Sequence, residues 1–354
     1  MLRRRHLLLL LLVAGAGASS FPGDGGEEGG ACDEAAAASW PWSGLEGETA
    51  RGDEVTVLIS GYSERRLPLL RSAAAAYAAH PAVASVVVLW FNPSTPEALL
   101  RSPPMAPGVA LHRSPDRSLN ARFLPRRAIR TRAVAVCDDD VALPPRALSF
   151  ALALFRSRSR SPSRPAPLVG FFGRAHDLDT ARREWVYAAR RDRYSILLAK
   201  FLLLPAPLLR RYSCAPELAP ARRVVERARN CEDILMSFVA AMDGAELVLV
   251  EGKGVRDWGD PRNRPRGREE LALGFNGSDG GGGGGGDEEE GMERVGLSSR
   301  GEEHWRKRGE CIREFHRVLG EMPLRYYYGR VVEGVEEQGL CNKGGKLVPC
   351  DNWD

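Results

Sequence analysis

The stretch that decides the fold is Ala133-Val134-Ala135-Val136-Cys137-Asp138-Asp139-Asp140, an apolar run that ends in three consecutive carboxylates. The apolar half predicts a buried strand. Adjacent carboxylates repel one another and lose hydration when they are covered, so this ending is electrostatically costly. A divalent cation such as Mg²⁺ or Mn²⁺ removes that cost, since it prefers hard oxygen ligands and leaves positions free for phosphates. An exposed acidic turn is the alternative interpretation of the triplet.

The residues around the triplet alternate between predicted strands and helices, including a helix at 118–126. This alternation predicts an α/β fold with a single mostly parallel central sheet flanked by helices. Ligands of such sheets bind beyond the carboxyl ends of the strands. Ser60, Asn92 and Asp138–Asp140 all follow predicted strand ends, so we expect them to share one crevice. This convergence favours a metal site over an exposed turn.

The charge pattern does not indicate a nucleic-acid partner. The 354 residues carry 50 Lys and Arg against 46 Asp and Glu, and the two signs are interspersed rather than gathered into a basic arm. Residues 156–161 (RSRSRS) resemble an RNA-binding repeat. The run is short and lies between a predicted helix and a predicted strand, which favours a solvated loop.

The N-terminus predicts entry into the secretory pathway. Within residues 1–20, three arginines precede a leucine run and a series of small residues, which is typical of a secretory signal. Cleavage after Ala16 or Ala18 and retention as a membrane anchor both stay open, although the apolar run is short for a span of about 20 residues. Residues 21–52, rich in Gly, Ala and Glu, are expected to form a flexible stem.

The remaining chain is expected to form one domain at 53–340, with a disordered insertion at about 274–293 and a tail at 341–354. The secretory lumen is oxidising, so the seven cysteines can pair, and the odd number leaves at least one free. Cys137 on the buried strand is the first candidate for the free thiol. Cys341 and Cys350 flank a predicted hairpin loop, and Asn276 begins an N-glycosylation sequon.

Five stretches resemble, in order, motifs of the exostosin-type glycosyltransferases (glycosyltransferase family 64). They are VLISGY at 57–62, VLWFN at 88–92, CDDD at 137–140, NCEDI at 230–234 and MPLRY at 322–326. The resemblance implies a GT-A type nucleotide-diphospho-sugar transferase fold, dependence on Mn²⁺, a nucleotide-sugar donor and retention at the anomeric carbon. Among the short plant members, the chain is most similar to the mannosyltransferases that extend glycosylinositol phosphorylceramides.

The resemblance assigns the acidic triplet to the family's DXD motif. It implies that Asp140 binds the metal directly, while Asp138 and Asp139 hold the ribose or water of the metal shell. It also matches Asp233 to an acid that orients the acceptor hydroxyl or stabilises oxocarbenium-like charge. From the residues alone, a helix N-cap at Asn230 followed by first-turn acids that complement the helix dipole explains Asp233 at least as well.

Further donor-site residues are implied by the same resemblance. Arg122 matches an arginine near the nucleotide, within a segment that also contains Asn120, although relatives tend to carry Asn where this chain has Ala121. Arg300 aligns loosely with an arginine that contacts the donor diphosphate, and a solvated residue before the last helix is its alternative interpretation. Around the base, the resemblance places Ser60, Tyr62 and Asn92.

The resemblance also pairs Cys231 with Cys311 as the family's disulfide. That bond would tie the helix of Asp233 to the last predicted helix. Closing so long a loop contributes about 4 kcal/mol in the chain-entropy model.

The resulting hypothesis is a Golgi-membrane enzyme with a lumenal domain that moves mannose from GDP-mannose onto a glycosylinositol phosphorylceramide head group. The alternative enzyme uses a UDP-sugar such as UDP-GlcNAc and a glycolipid or glycan acceptor. A metal- or carbohydrate-binding protein without turnover, or an inactive family member, is the alternative of another class. The intact triplet and Asp233 argue against inactivity. Neither double displacement nor front-face attack is favoured.

Overall fold

The computed structural model describes residue 32 and residues 51–115, 117–161, 164–259, 301–334, 340–343 and 346–349. The predicted signal or anchor, nearly all of the stem, the predicted insertion, the sequon, Arg300 and Cys350 lie outside these residues. The predicted domain boundaries therefore stay predictions. Within the described ranges, no helix has both the length and the apolar character that crossing a bilayer requires.

The strands come in short and long forms. They are β1 (Arg51–Gly61), β2 (Val83–Trp90), β3 (Val109–Arg113), β4 (Thr131–Asp138), β5 (Val141–Ala142), β6 (Leu168–Gly170), β7 (Gly173–Asp179), β8 (Glu184–Ala188), β9 (Ile196–Leu197), β10 (Phe201–Pro205), β11 (Leu247–Glu251), β12 (Arg256–Asp257), β13 (Arg330–Val332), β14 (Leu340–Lys343) and β15 (Lys346–Pro349).

The helices lie between the strands along the chain. They are α1 (Leu67–Ala78), α2 (Glu97–Arg101), α3 (Pro145–Arg158), α4 (Ala206–Cys214), α5 (Ala219–Ala228), α6 (Glu232–Met242) and α7 (Gly301–Leu319). Short 3₁₀ turns occupy Glu64–Arg66, Leu119–Phe123 and Pro216–Leu218.

The central sheet has the strand order β13-β11-β6-β10-β4-β1-β2-β3. β10 runs antiparallel to both of its neighbours, and every other pair in this sheet is parallel. The predicted α/β fold with one mostly parallel sheet is therefore confirmed. Because β1 and β4 are parallel neighbours, their carboxyl ends, with Ser60 opposite Asp138, meet at one edge of the sheet.

Apolar layers cover both faces of the sheet. In β1, Val57 and Ile59 contribute to one layer, which also contains Leu70 of α1 and Leu148 of α3. Leu58, which points to the opposite face because side chains alternate along a strand, packs in the other layer with residues of α6 and α7. The sheet is thus buried on both sides, and only its edges are available for a site.

Two disulfides tie distant parts of the chain together. Cys231 bonds to Cys311, which confirms the pair implied by the resemblance. Cys32 bonds to Cys214, a pair that the sequence analysis did not foresee. Cys137 is free and buried, as predicted. The first bond joins the start of α6 to the middle of α7, so it fixes two helices that border the sheet edge described above.

Residues 118–126 differ from the prediction, which assigned them to a helix. They form only the 3₁₀ turn Leu119–Phe123, in which the Ser118 hydroxyl accepts a hydrogen bond from the Asn120 backbone amide. Leu124 is extended, because the residue before a proline avoids the helical region. Pro125 thus ends the turn, and Arg122 is held on a short, well-packed segment.

Gly61 ends β1 at a point where a side chain has no space. A Cβ atom there would lie 2.5 Å from Leu70 Cδ1 and 2.9 Å from the ring of Trp90. We expect Gly61→Ala to lower the free energy of unfolding by about 1–3 kcal/mol through overpacking. Gly329→Ala is the matched control, because a Cβ there meets nothing within 4 Å. Denaturant unfolding curves that are equal for the two variants would contradict this account.

Candidate active site

A cavity of about 890 Å³ opens at the carboxyl ends of β1 and β4. It brings together predicted site residues that are far apart in sequence. Those that line it are Ser60, Tyr62, Arg122, Asp138, Asp139, Asp140 and Asp233. The ends of β1 and β4 therefore share one crevice with the first turn of α6, and the end of β2 reaches it through Phe91 and not through Asn92.

Asn92 and Asn120 are predicted donor-site residues that the structure does not bring to the described wall of the cavity. The Asn92 side chain accepts a hydrogen bond from the Ser94 backbone amide in the loop after β2. The Asn120 side chain donates to the Arg222 carbonyl and accepts from the Tyr212 hydroxyl. These contacts give Asn120 a packing role between the 3₁₀ turn and helices α4 and α5.

The acidic triplet has a partner for each carboxylate. Asp138 is partly exposed and accepts a hydrogen bond of 2.7 Å from Arg122. Asp139 and Asp140 are buried, and a single nitrogen of Arg66 donates to both, at 2.7 Å to Asp139 and 2.8 Å to Asp140. Arg66 ends the 3₁₀ turn before α1 and was not among the predicted site residues. The triplet is therefore a buried ionic cluster and not an exposed turn.

Burial and mutual repulsion change the acidity of this cluster. Burial raises the pKa of Asp139 to about 7, with Arg66 opposing the rise and the charge of Asp140 adding to it. Burial likewise raises the pKa of Asp140 to about 6, and the neighbouring charge of Asp138 adds to the rise. Both carboxylates are thus destabilised as anions, so a cation bound beside them would gain strongly in interaction energy.

The residues at the triplet fit a divalent cation. Asp140 lines the cavity, and its Oδ1 is buried and has no hydrogen-bond partner among the described residues, although the other oxygen of that carboxylate binds Arg66. The backbone of Gly259 packs against the same carboxylate. A Cβ atom at this position would lie 2.5 Å from Asp140 Oδ2, so the close approach requires glycine. The described residues contain no group of three or more His, Cys, Asp or Glu placed to hold a metal by themselves. Mg²⁺ is commonly bound by one or two protein carboxylates together with water and substrate phosphates, so a single carboxylate oxygen is compatible with such a site.

A short antiparallel pair of strands fixes the backbone at the end of the triplet. β5 follows the triplet directly and pairs with β12, and the Trp258 backbone amide donates to the Asp140 carbonyl at 2.9 Å. Lys200 donates at 2.6 Å to Asp257 of β12 and also faces the cavity. The backbone of Asp140 is thus fixed by hydrogen bonds that do not use its carboxylate.

Arg122 links the triplet to α6. It is buried and donates to Asp138, to Glu232 at 2.8 Å and to the Ala199 carbonyl. Burial alone would lower the pKa of Arg122, but the charges of Asp138 and Glu232 outweigh it and the pKa is raised. Burial also raises the pKa of Glu232, helped by the charge of Asp233 beside it. Arg122 therefore remains cationic and fixes the distance between the two acidic walls.

Asp233 lies in the first turn of α6, and one guanidinium nitrogen of Arg308 on α7 donates to both of its carboxylate oxygens. The two Arg308 hydrogen bonds to the Asp233 oxygens measure 2.7 and 2.8 Å. Arg308 also donates to Asn230 and lies over the ring of Tyr187, 4.6 Å from its centroid. Asn230 is not the helix N-cap that the sequence suggested, because Cys231 precedes the helix with a positive φ of 76°. Arg308 thus fixes the orientation of the Asp233 carboxylate, which a role in complementing the helix dipole would not require.

Arg308 is the basic residue of α7 that faces the cavity, and the sequence analysis missed it. Arg300, which was predicted instead, lies outside the described residues. The signal was present in the cysteine pair: Arg308 precedes Cys311 by three residues and therefore shares its helix face. Because Cys311 bonds to Cys231, next to the first turn of α6, that face must point at Asp233.

The two ends of the cavity differ in character. Near Ser60, the exposed ring of Tyr62 stacks beneath the guanidinium of Arg117 at 5.6 Å, an arrangement that suits a flat aromatic base. Beyond Asp233, the half-exposed Trp305 packs on Tyr187 with 5.1 Å between ring centroids. An aromatic face at a cavity rim can stack on a sugar ring. Exposed aromatic rings thus line the cavity both near Ser60 and near Asp233.

A model of the glycosyl transferase family 64 domain matches residues 55–272 and 283–335. The chain belongs to this family of glycosyltransferases. The match confirms the predicted family and with it the enzyme class and the GT-A type of fold.

Among the curated relatives, glycosyltransferase family protein 64 C3 of Arabidopsis thaliana is 46% identical over 317 residues, covering 86% of this chain and 88% of that protein. Glycosylinositol phosphorylceramide mannosyl transferase 1 of the same plant is 24% identical and covers 84% and 83%. Exostosin-1c of Danio rerio is 24% identical over 68% of this chain but only 28% of its own length. A solved mannosyltransferase from Pyrobaculum calidifontis, in complex with GDP-Man and Mn²⁺, is 16% identical, covers 58% of each chain and has a TM-score of 0.35.

The ion pair between Arg308 and Asp233 generates a testable expectation. Arg308→Lys keeps the positive charge but has no second nitrogen to bind Asn230 and no planar guanidinium to lie over Tyr187, so it holds Asp233 less firmly. We therefore expect transferase activity to fall by about 100-fold or more while the fold persists. Arg306→Lys, on an exposed residue of the same helix, is the matched control. Circular dichroism checks folding, and steady-state kinetics check activity. Equal kcat values for the two variants would show that Arg308 does not contribute to catalysis.

The raised pKa values of Asp139 and Asp140 predict an unusual pH dependence of stability. The folded protein binds protons at these two carboxylates more tightly than the unfolded chain, in which the pKa of an aspartate is about 4. Their contribution to the free energy of unfolding therefore falls as the pH rises from about 4 to about 7.

The test is thermal unfolding in chelator at several pH values. The melting temperature of Asp139→Asn/Asp140→Asn, relative to the wild type, should rise across this window. Asp192→Asn, at an exposed surface carboxylate, provides the control. A constant difference across the window would show that burial does not perturb the pair.

Proposed function

We propose that this chain is a Mn²⁺-dependent retaining transferase that moves mannose from GDP-mannose to a glycosylinositol phosphorylceramide head group in the Golgi lumen. The observation that carries the proposal is the buried, unpartnered oxygen of Asp140 on the cavity wall, with Arg308-held Asp233 on the opposite wall. This pairing of a cation-binding wall with an aimed carboxylate suits nucleotide-sugar transfer. A protein that only bound a glycan would need neither feature.

The residues of the cavity have separable tasks in this proposal. Asp140 holds the cation, and Asp138 and Asp139 hold the ribose or water around it. When bound, Mn²⁺ neutralises the diphosphate and stabilises it as a leaving group. Arg122 keeps Asp138 in place from the protein side. Because charge grows on the departing phosphate, fixed cations near it stabilise the transition state more than the ground state.

Asp233 acts on the other side of the transferred sugar. Its carboxylate is held by Arg308, so its orientation is set before the substrate arrives. It orients the acceptor hydroxyl or stabilises the oxocarbenium-like charge at the anomeric carbon. Trp305 at the rim offers a stacking surface for the acceptor glycan.

Mannose and GDP are proposed as the donor because a relative that covers most of this chain is named as a glycosylinositol phosphorylceramide mannosyl transferase. The second candidate is a UDP-N-acetylhexosamine donor. It is kept because another plant relative, 26% identical over 73% of this chain, is named glucosamine inositolphosphorylceramide transferase 1. Both names specify an inositol phosphorylceramide acceptor, so the acceptor class is common to the two candidates.

A donor screen with the purified protein and Mn²⁺ tests the reaction. We expect turnover of GDP-mannose and not of UDP-sugars in the presence of a glycosylinositol phosphorylceramide acceptor. Asp140→Asn should lower this turnover by about 100-fold or more, because it removes the direct cation ligand. The surface variant Asp192→Asn should retain wild-type activity.

Turnover of UDP-sugars alone would overturn the mannosyl assignment, and undiminished turnover in chelator would overturn the metal. The anomeric configuration of the product, determined by NMR, tests retention. For the location, the full-length chain with a C-terminal fluorescent tag should coincide with a Golgi marker, and a cytosolic distribution would contradict the proposal.

A further inference from the structure

Arg66 is a charged residue of the cavity to which the proposed reaction gives no task. One of its nitrogens donates to Asp139 Oδ1 and to Asp140 Oδ2, and its side chain is largely buried. The Arg66 guanidinium therefore lies beside two carboxylates of the triplet, where the attraction for a cation is strong. Asp140 Oδ1 nevertheless has no hydrogen-bond partner among the described residues, so this buried oxygen of a cavity-lining residue is left for an ion.

The charges around the triplet are balanced by three protein cations. Arg122 pairs with Asp138, Lys200 pairs with Asp257, and Arg66 alone serves both Asp139 and Asp140. A divalent ion at Asp140 Oδ1 would lie within a few ångströms of the Arg66 guanidinium and be repelled by it. Among the described residues, no group of three or more carboxylates, histidines or cysteines is placed to hold such an ion.

We propose that Arg66 couples cation binding to donor binding: it neutralises Asp139 and Asp140 while the site holds no donor, and so keeps the affinity for Mn²⁺ alone low. This inference rests on the proposed function for the presence of a cation and a diphosphate donor. The diphosphate supplies negative charge and oxygen ligands, and it offers Arg66 an alternative partner. The cation and the donor then bind together far better than either binds alone, a coupling that is reciprocal by linkage.

Arg66 also affects which divalent cations the enzyme binds before the donor arrives. Without Arg66, two adjacent buried carboxylates would attract any abundant divalent cation, including one of the wrong geometry. With Arg66, tight binding requires a ligand that completes the coordination shell. Arg66 is thus a positioning residue whose effect is measured on the metal and not only on the rate.

The test measures Mn²⁺ affinity by the loss of the free-ion EPR signal, in the absence and presence of GDP or UDP. Arg66→Gln should bind Mn²⁺ alone about tenfold or more tightly than the wild type, and the enhancement of Mn²⁺ binding by the nucleotide should shrink by a similar factor. Arg65→Gln, the exposed neighbour in the same 3₁₀ turn, is the matched control and should match the wild type. Neither readout depends on which sugar is transferred.

A charge-balanced variant keeps the test decisive if Arg66→Gln does not fold. Arg66→Gln/Asp139→Asn removes one charge of each sign and leaves Asp140 in place, so its affinity for Mn²⁺ alone should stay within about threefold of the wild type. The proposal is overturned if Arg66→Gln binds Mn²⁺ alone no more tightly than the wild type. A tenfold change in the charge-balanced variant, in either direction, would also overturn it.

Discussion

The constraint on which the site depends is the burial of carboxylates at the end of an apolar strand. An anion that loses its water must find a cation or a set of hydrogen-bond donors, or else take up a proton. Among the described residues, the buried carboxylates pair with guanidinium groups from three separate parts of the chain. These are Arg66 before α1, Arg122 in a 3₁₀ turn and Arg308 on α7. The positions of these elements follow from where the carboxylates are.

This constraint also explains how the two walls keep their spacing. Arg122 bridges Asp138 on β4 to Glu232 on α6, and Arg308 bridges α6 to α7. The Cys231–Cys311 bond runs alongside that second bridge. Breaking one partner of such a buried pair typically costs about 3–5 kcal/mol, because the other charge is left uncompensated. The contacts that hold the cavity walls in place therefore also contribute to the stability of the fold.

The sequence predicted the sheet from local periodicity, and short motifs singled out the triplet and Asp233, which the structure places around one cavity. It was insufficient for Arg66 and Arg308, whose roles depend on contacts across more than seventy residues. Arg308 could have been found from its spacing to Cys311. Arg66 carries no such signal, since Arg65 beside it has the same chemistry and points elsewhere. Asn92 and Asn120 show the converse error, in which a residue at the right place in the sequence turns its side chain to the protein.

The two disulfides have an implication for how the protein is made. Cys32 pairs with Cys214 and Cys231 pairs with Cys311, so the loops follow one another along the chain and do not interleave. During synthesis from the N-terminus, the first pair is complete before either cysteine of the second emerges. Cys137, the thiol that could form a wrong bond with Cys32 in the meantime, becomes inaccessible as soon as β4 joins the sheet. The order of translation and early formation of the central strands therefore both favour these two pairings.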